Sequence, residues 1–461
     1  MKTKLIIFIS MMLTMFSITS CLKISEEPDE NKIILPDNNE VFQTNSQKIA
    51  VRNAVSITFS DGQTIVDNPF EGYGVTVNVD KQNVTINAIV ADTKFELNYV
   101  LSGVTTNGSV KIYSDYKFGL LFNGVSIQNP KGAAINIQSG KRVSVTLVDH
   151  TSNRLVDEGI FQMTEGEDMK GTFFSEGQLV FDGTGSLLIY ANYRHAICVD
   201  DYIEINSGSI TVNNVPQDGI RCKDYFQMEG GNINILMAKS DGLECGNMII
   251  NGGSIKVSNT SDIGLKSNEN ITITGGKIEI DSRHGIRAEG NIAIIGGEIY
   301  CNSSRNGIVS REKAIIISGG LIVVSATRSV FDSGNRTFSI IGGTTIGVGG
   351  ASIVPTSSEC RQRVVVWGTS GFTAGQLVSI KSSNAFDVMS FKLPKAYTDK
   401  MVMVFSSSSL YANTSYTINK GGSVSGGADF HGLYIGAVSN GGTAAATFTT
   451  SNMVAIVGNV N

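Results

Sequence analysis

The chain has 461 residues and a formal net charge of −5 at pH 7, with 51 glycines and 7 prolines. Its hydrophobic content of 41% allows a sizeable core and argues against general disorder. The negative net charge argues against a broad nucleic-acid-binding surface, so we expect no nucleic-acid partner.

The first predicted element is a secretion signal over residues 1–21, with a basic start and an apolar core too short for a comfortable membrane span. The segment ends in Ile-Thr-Ser-Cys and resembles a bacterial lipoprotein signal, although Ile18 and Ser20 stand where Leu and Gly are commoner. We therefore expect cleavage before Cys21 and acylation of its thiol. A plain secretory signal is the alternative.

Residues 22–46 are polar and acidic and are predicted to form a disordered tether. No later stretch of the sequence has the length and apolarity of a transmembrane helix. We therefore expect a lipoprotein at the outer membrane or cell surface, held to the membrane by its lipid anchor only. The five cysteines after Cys21 have no zinc-site spacing and are odd in number, so we expect buried thiols.

A glycine-centred repeat dominates the middle of the chain. Its glycines are separated by 23, 23, 22, 23, 21, 23 and 23 residues and lie at 185, 208, 231, 253, 276, 297, 320 and 343. Ile271 and Ile273 precede Gly276 with alternate spacing, and Ile278 and Ile280 follow it in the same way. This period of two predicts a strand, a glycine corner and a second strand in each repeat. A second series of mostly glycine positions, each followed by Ile, Leu or Phe, adds a third short strand.

Short strands stacked at a constant period predict an all-β protein, a right-handed parallel β-helix with about 22–23 residues per coil. Equivalent positions in successive coils then lie about 4.8 Å apart. We predict this β-helix and its N-terminal cap over residues 47–350, and a β-rich C-terminal cap or sandwich over 351–461, where the repeat disappears. The third-strand residues predicted to point into the core are Ile220, Leu243, Leu265 and Ile286.

Several phrases carry a family resemblance, among them "GAAINIQSGKRVSVTL", "HAICVDDYIEI", "DGIRCKDYFQMEGGNINI" and "DGLECGNMIINGGSIKV". They resemble the carbohydrate-binding β-helix family of bacterial cell-surface proteins, which is pectate-lyase-like in fold. The resemblance runs from about residue 47 to the end. It implies a non-catalytic, calcium-associated protein that binds plant-type polysaccharides, acidic sugars among them. His195, His284 and Asn306 replace the corner Asp, so not every coil offers an acid there.

Four aspartates are candidate Ca²⁺ ligands. Asp218 and Asp241 share one position of the repeat, and Asp201 and Asp224 share another. Stacked carboxylates about 5 Å apart repel each other unless water screens them or a cation bridges them, and Ca²⁺ accepts several oxygens in flexible geometry. An Asp before Gly is also a good turn residue, and this is the simpler explanation. The family resemblance keeps Ca²⁺ as the alternative.

A mostly basic stripe is predicted on the outside of the third strand, formed by Arg221, Glu244, Lys266 and Arg287. Guanidinium groups bind carboxylates through two hydrogen bonds, which suits uronic acids. The alternative is a solvated face on which Glu244 pairs with its neighbours.

Tyr202 and Tyr225 occupy equivalent positions in adjacent coils, followed there by Asn247, Asn270 and Asn291. The tyrosines are candidates for stacking on sugar rings. The asparagines are expected to satisfy backbone groups at the turns.

The sequence contains no serine-hydrolase, zinc-protease or P-loop signature. The enzyme alternative is a calcium-dependent polysaccharide lyase, in which Ca²⁺ neutralises a uronate and an Arg or Lys removes a proton. A further alternative is a surface adhesin or structural stalk without a sugar site. We predict a cell-surface protein that binds plant-type and acidic polysaccharide without cleaving it.

Overall fold

The computed structural model describes residues 45–90, 95–334 and 336–460. The signal segment with Cys21, and all but the last two residues of the tether, lie outside this range, so those assignments stay predictions. Among the described residues there is no helix long and apolar enough to cross a membrane. Their one helical segment is a 3-10 turn over Glu71–Tyr73.

Three parallel faces of stacked strands form the main part of the protein. The first face consists of Ala54–Ser60, Leu97–Thr105, Phe118–Asn129, Val143–Leu147, Leu179–Gly183, Ile203–Ile205, Tyr225–Met228, Asn247–Ile250, Ile271–Ile273, Ile292–Ile294, Ile315–Ile317 and Phe338–Ile340. The second face consists of Ser152–Asp157, Ser186–Tyr190, Ser209–Asn213, Asn232–Ile235, Ser254–Ser267, Lys277–Ala288, Glu298–Ser303, Leu321–Ala326 and Thr344–Gly349.

The third face consists of Asn83–Ala88, Ser109–Ser114, Ile135–Gln138, Gly171–Ser175, His195–Val199, Ile220–Cys222, Leu243–Cys245, Ile308–Ser310 and Phe331–Asp332. Ser254–Ser267 and Lys277–Ala288 continue from the second face into the third. The chain visits the three faces in turn through about 11 coils. This arrangement confirms the predicted parallel β-helix.

Apolar side chains at equivalent positions fill the space between the faces. Ile220 pairs with Leu243, Leu243 with Leu265, and Leu265 with Ile286. All four side chains are fully buried, which confirms the predicted inward direction. Each coil packs its inward side chains against those of the coils before and after it, so the core is continuous along the stack. The cysteines Cys198, Cys222, Cys245, Cys301 and Cys360 are buried free thiols, as expected.

Glycine is required at the corner between the first and second faces because the backbone there turns with positive φ. Gly276 has φ of 84° and Gly297 has φ of 90°. A Cβ atom on Gly276 would also lie 2.9 Å from the carbonyl oxygen of Gly252 in the preceding coil. Both the backbone angle and the close approach of the coils therefore exclude a side chain.

Antiparallel pairing ends the stack on both sides. At the N-terminal side, Gln63–Asp67 pairs with the first strand and Thr76–Asp80 pairs with Asn83–Ala88. At the C-terminal side, Thr344–Gly349 pairs with Met401–Ser406. The remaining strands are Val364–Thr369, Leu377–Ser382, Asp387–Lys392, Met401–Ser406, Ser415–Lys420, Ser423–Ser425, Ala428–Phe430, Leu433–Ile435, Val438–Asn440, Thr443–Thr449 and Val454–Gly458. Covering the terminal coils protects sheet edges that would otherwise be open to further pairing.

Candidate functional site

The predicted stripe forms one column on the third face. Arg221 pairs in register with Glu244, Glu244 with Lys266, and Lys266 with Arg287. The exposed fraction of the side chain is 44% for Arg221 but only 23% for Lys266, and Glu244 is buried. The column forms at the predicted position, but the side chains of Glu244 and Lys266 are largely shielded from solvent.

Each cation of this stripe has an acidic partner. Arg221 Nη1 lies 2.8 Å from Glu244 Oε2, and Lys266 Nζ lies 3.3 Å from Glu244 Oε1. Arg287 Nη2 lies 2.6 Å from Glu289 Oε1. A ligand carboxylate would have to compete with these ion pairs. The geometry therefore favours the alternative in which Glu244 pairs with its neighbours over an open basic stripe.

Asp218 and Asp241 lie at the corner between the second and third faces and are almost fully buried. Asp218 Oδ1 accepts the backbone N–H of Asp241 at 3.0 Å, and Asp241 Oδ1 accepts the N–H of Ile263 at 3.0 Å. The other oxygens face cations, because Asp218 Oδ2 lies 3.3 Å from Arg221 Nη1 and Asp241 Oδ2 lies 2.9 Å from Lys266 Nζ. The two aspartates therefore connect successive coils and neutralise the cations of the stripe. We call Asp218, Asp241, Glu244, Arg221 and Lys266 the paired cluster.

The two aspartates of this cluster have opposite pKa shifts. Burial favours the neutral acid in both, but at Asp218 the contact with His195 and the N–H of Asp241 outweigh it and lower the pKa below its usual value. At Asp241 burial dominates over Lys266 and raises the pKa. The His195 ring occupies the equivalent corner of the preceding coil, with Nδ1 3.2 Å from Asp218 Oδ2.

This cluster is the place where Ca²⁺ would be expected, since carboxylate oxygens of Asp218, Asp241 and Glu244 lie within 4.8 Å of one another. Ca²⁺ binds six to eight oxygens at about 2.4 Å. Here the oxygens already accept hydrogen bonds from the backbone, Arg221 and Lys266. In this conformation Arg221 and Lys266 occupy the space that Ca²⁺ would need, so a bound ion would require both cations to move away. Ca²⁺ binding by Asp218 and Asp241 stays a prediction.

Asp201 and Asp224 occupy a different corner. The backbone N–H of Asp224 donates to the carbonyl of Asp201 at 3.1 Å, which confirms that the two positions are equivalent in adjacent coils. Asp201 is also bonded by the Gln178 side-chain amide, and Asp224 is exposed. Neither belongs to the paired cluster, and a role in Ca²⁺ binding stays a prediction.

The two tyrosines stack on each other at the corner between the third and first faces. The ring centroids of Tyr202 and Tyr225 are 4.4 Å apart, and the ring planes differ by 13°. The Tyr225 hydroxyl donates to Glu204 Oε1 at 2.6 Å, and burial together with this bond raises the pKa of the phenol. The bond to Glu204 on the same face thus holds the Tyr225 ring in one orientation, and Tyr202 stacks on that ring.

The asparagines continue the same column. Asn247 Oδ1 accepts the backbone N–H of Asn270 at 3.2 Å, and Asn270 Oδ1 accepts that of Asn291 at 2.9 Å. Asn291 Oδ1 accepts the N–H of Ala314 at 3.2 Å. These bonds agree with the expected structural role. The side-chain nitrogens of Asn270 and Asn291 also point along the column, at 3.2 and 3.4 Å from the preceding Oδ1.

An open groove runs over the first face beside this column. Its volume is about 520 Å³, and Tyr225 lines one end of it. Asn247, Asn270 and Asn291 line its side, and Ile249, Thr272 and Ala293 are outward-facing residues of its floor. We call this the first-face groove. Sequence reasoning identified the tyrosines and asparagines but not the floor, because outward positions of short strands follow no residue-type pattern there.

Sequence reasoning also missed an arginine column at the corner between the second and third faces. Arg283, Arg305 and Arg328 lie at equivalent positions. The backbone N–H of Arg305 donates to the carbonyl of Arg283, and that of Arg328 donates to the carbonyl of Arg305, both at 2.8 Å. The sequence signal for this column was the spacing of 22 and 23 residues between the arginines. Each arginine lies two residues before a position of the second glycine series, namely Gly285, Gly307 and Val330.

Comparisons with known proteins agree with the sequence resemblance. Residues 80–283 match the sequence model of a family described as carbohydrate-binding domain-containing protein. A protein of that description from Acetivibrio thermocellus is 30% identical over 118 residues, which are 25% of this chain and 41% of the relative. The chain thus matches less than half of that relative's length. The matched range contains both tyrosines and the paired cluster, whereas Arg287 lies outside it.

A solved structure is also similar, that of a polysaccharide lyase-like protein from C. thermocellum determined as a gadolinium derivative. The two chains share 25% identity, with a TM-score of 0.47, over 52% of this chain and 96% of the other. The family match confirms the predicted resemblance to carbohydrate-binding β-helix proteins over residues 80–283.

Proposed function

We propose that this chain, whose residues 80–283 match carbohydrate-binding domains, binds plant-type polysaccharide at the cell surface without cleaving it. The observation that carries the proposal is the first-face groove, with a fixed aromatic ring at one end and a row of amides along its side. Binding sites for small organic ligands typically combine an apolar surface with a few placed polar groups.

The groove results from a change of side-chain length in one column. Tyr225 pairs in register with Asn247, so a long aromatic side chain is followed by a short amide in the next coil. This step leaves space beside the Tyr225 ring and over the shorter asparagines. An aromatic face offers apolar contact to the C–H surface of a sugar, and amides offer both donors and acceptors to its hydroxyls. Because the groove crosses several coils, it suits a linear chain.

The paired cluster supports binding over lyase chemistry. A lyase needs a base that can release its own proton near neutral pH. Burial lowers the pKa of Lys266, but its bonds with Asp241 and the charge of Glu244 outweigh burial and raise it above the ordinary lysine value. The charges of Glu244 and Asp218 likewise outweigh burial and raise the pKa of Arg221. Both groups are held in the protonated form and are poor bases.

The location is part of the same proposal. Residues 1–21 and the acidic tether support a lipid anchor at Cys21, which would place the described residues outside the membrane. Changing Cys21 to Ala should move the full-length protein from the membrane fraction to the soluble fraction. Unchanged membrane retention would refute the anchor while leaving the glycan proposal intact.

The groove is tested with the variant Tyr225→Ala and a panel of plant glycans that includes a neutral glucan and polygalacturonate. Loss of an aromatic anchor should weaken binding of the neutral glucan about tenfold or more. Tyr411→Ala is the matched control, because Tyr411 is 64% exposed and lies in the C-terminal region. Wild-type affinity in Tyr225→Ala would exclude the groove, and absence of binding by the wild type to every glycan would refute the function.

A further inference from the structure

The arginine column differs from the paired cluster because it contains more cations than acidic partners. Arg283 pairs with Asp262 of the preceding coil at 3.1 Å. For Arg305 and Arg328, no side-chain hydrogen bond or ion pair is present within residues 45–90, 95–334 and 336–460. One acid therefore faces three cations, on a chain whose formal net charge is −5.

The fold does not require arginine at this corner. In three earlier coils the same position is held by Gln217, Ser240 and Asp262, connected by the same backbone hydrogen bonds of 3.1–3.2 Å. Charges stacked at the coil spacing of about 4.8 Å repel one another. The neighbouring charges of Arg283 and Arg328 lower the pKa of the Arg305 guanidinium, which is the opposite of what an ion pair does. The column is thus electrostatically unfavourable in isolation.

A cavity opens beside the column on the third face. It has a volume of about 320 Å³, and its lining includes His284, Asn306, Arg287, Arg311 and one acid, Asp332. His284 and Asn306 directly follow Arg283 and Arg305 in the sequence, so the cavity and the column share the same turns. Arg287 and Arg311 share the single carboxylate of Glu289, at 2.6 and 3.5 Å. The region therefore combines excess positive charge with space for a ligand.

We propose that Arg283, Arg305 and Arg328, with the adjacent cavity, form a second binding site for a linear polysaccharide that carries carboxylates along its length. The inference rests on the proposed function and adds a site separate from the first-face groove. Guanidinium groups bind carboxylates through two parallel hydrogen bonds, and a row of them at regular spacing matches a polymer with repeated charges. The third face separates this corner from the groove, so a neutral and an acidic chain can be bound together.

The test replaces the three residues together, as Arg283→Gln, Arg305→Gln and Arg328→Gln, in the full chain. Affinity for polygalacturonate should fall about tenfold or more, and its dependence on salt should become weaker. Affinity for a neutral glucan should not change. The matched control replaces three exposed lysines elsewhere by Gln, namely Lys48, Lys117 and Lys141. It alters the net charge equally and should retain polygalacturonate binding, and both triple variants should keep the wild-type melting temperature.

Two further measurements identify the ligand chemistry. A triple Arg→Lys variant keeps the charge but loses the planar guanidinium groups that form paired hydrogen bonds with carboxylates. Its affinity for polygalacturonate should therefore lie between those of the wild type and the triple Arg→Gln variant. The wild type should bind polygalacturonate more tightly than dextran sulfate or single-stranded DNA at equal ionic strength. Equal binding of all three would overturn the assignment to a carboxylated glycan.

Failure of this inference can be distinguished from failure of the proposed function. If the arginine triple variant keeps its polygalacturonate affinity while Tyr225→Ala loses neutral glucan, the second site is refuted and the groove stands. If the wild type binds neutral glucan but no polygalacturonate, the second site is refuted in the same way. If the wild type binds no glycan, both the second site and the proposed function are refuted.

Discussion

One corner of the β-helix is charged in two different ways along its length. In earlier coils it presents Asp218 and Asp241, which bond the next coil and neutralise cations of the third face. In later coils it presents Arg283, Arg305 and Arg328, of which the first alone has an acidic partner among the described residues. The same backbone thus supports charges that hold coils together and charges left open to solvent. The difference lies in whether a charged side chain has an oppositely charged partner.

The largest expected effect concerns the paired cluster. Asp241→Ala removes the acceptor for the buried N–H of Ile263 and leaves Lys266 without its closest acid. We expect a loss of about 3 kcal/mol in the free energy of unfolding, measured by urea denaturation. Asp241→Asn keeps an acceptor and should lose less. A loss in Asp241→Ala below about 1 kcal/mol would show that the corner contributes little to stability.

The pH dependence of stability is the next effect. Since the folded pKa of Asp218 is lowered, its carboxylate stabilises the fold above the ordinary Asp pKa of about 4 and loses this contribution as the pH falls through the folded value. The stability difference between wild type and Asp218→Asn should therefore be complete at about pH 7 and shrink below about pH 4. A difference that stays constant down to acidic pH would contradict the lowered pKa.

A smaller effect is expected in the asparagine column. Asn270→Ala removes the acceptor for the N–H of Asn291, and the loss in unfolding free energy should be about 1 kcal/mol because the site is open to water. The groove should also lose one amide, so binding of neutral glucan should weaken less than in Tyr225→Ala. Calorimetry of glucan binding to both variants checks which loses more affinity. A larger loss in Asn270→Ala than in Tyr225→Ala would show that the amides, and not the aromatic ring, contribute most to binding.

The smallest effect on stability is expected in the arginine column. Arg305→Gln removes a charge whose strongest interactions, with Arg283 and Arg328, are repulsive, so the melting temperature should stay unchanged or rise slightly. The paired cations give the contrast, because Lys266→Gln leaves Asp241 and Glu244 without their shared partner and should lower the melting temperature. If Arg305→Gln lowers the melting temperature as much as Lys266→Gln does, unpaired and paired cations contribute equally to stability.

The sequence predicted the fold well because its signals repeat. Eight glycine positions and period-two alternation determined the coil, and Ile220 and Leu243 face the core as predicted. The partners of charged residues were harder to predict, since a coil fixes which residues are stacked but not which oxygen a cation reaches. Glu244 was expected to compensate its neighbours, and it does, but the reach of Arg221 and Lys266 to the corner aspartates depends on side-chain conformation.

The most direct test of the central claim follows binding and cleavage in one experiment with the wild-type protein, a neutral glucan and polygalacturonate, with and without added Ca²⁺. Retention on the glycan is measured together with the ultraviolet absorbance of unsaturated products and the release of new reducing ends. The account predicts saturable binding with no product in any condition. Accumulation of unsaturated oligosaccharides when Ca²⁺ is present would contradict it and establish a lyase.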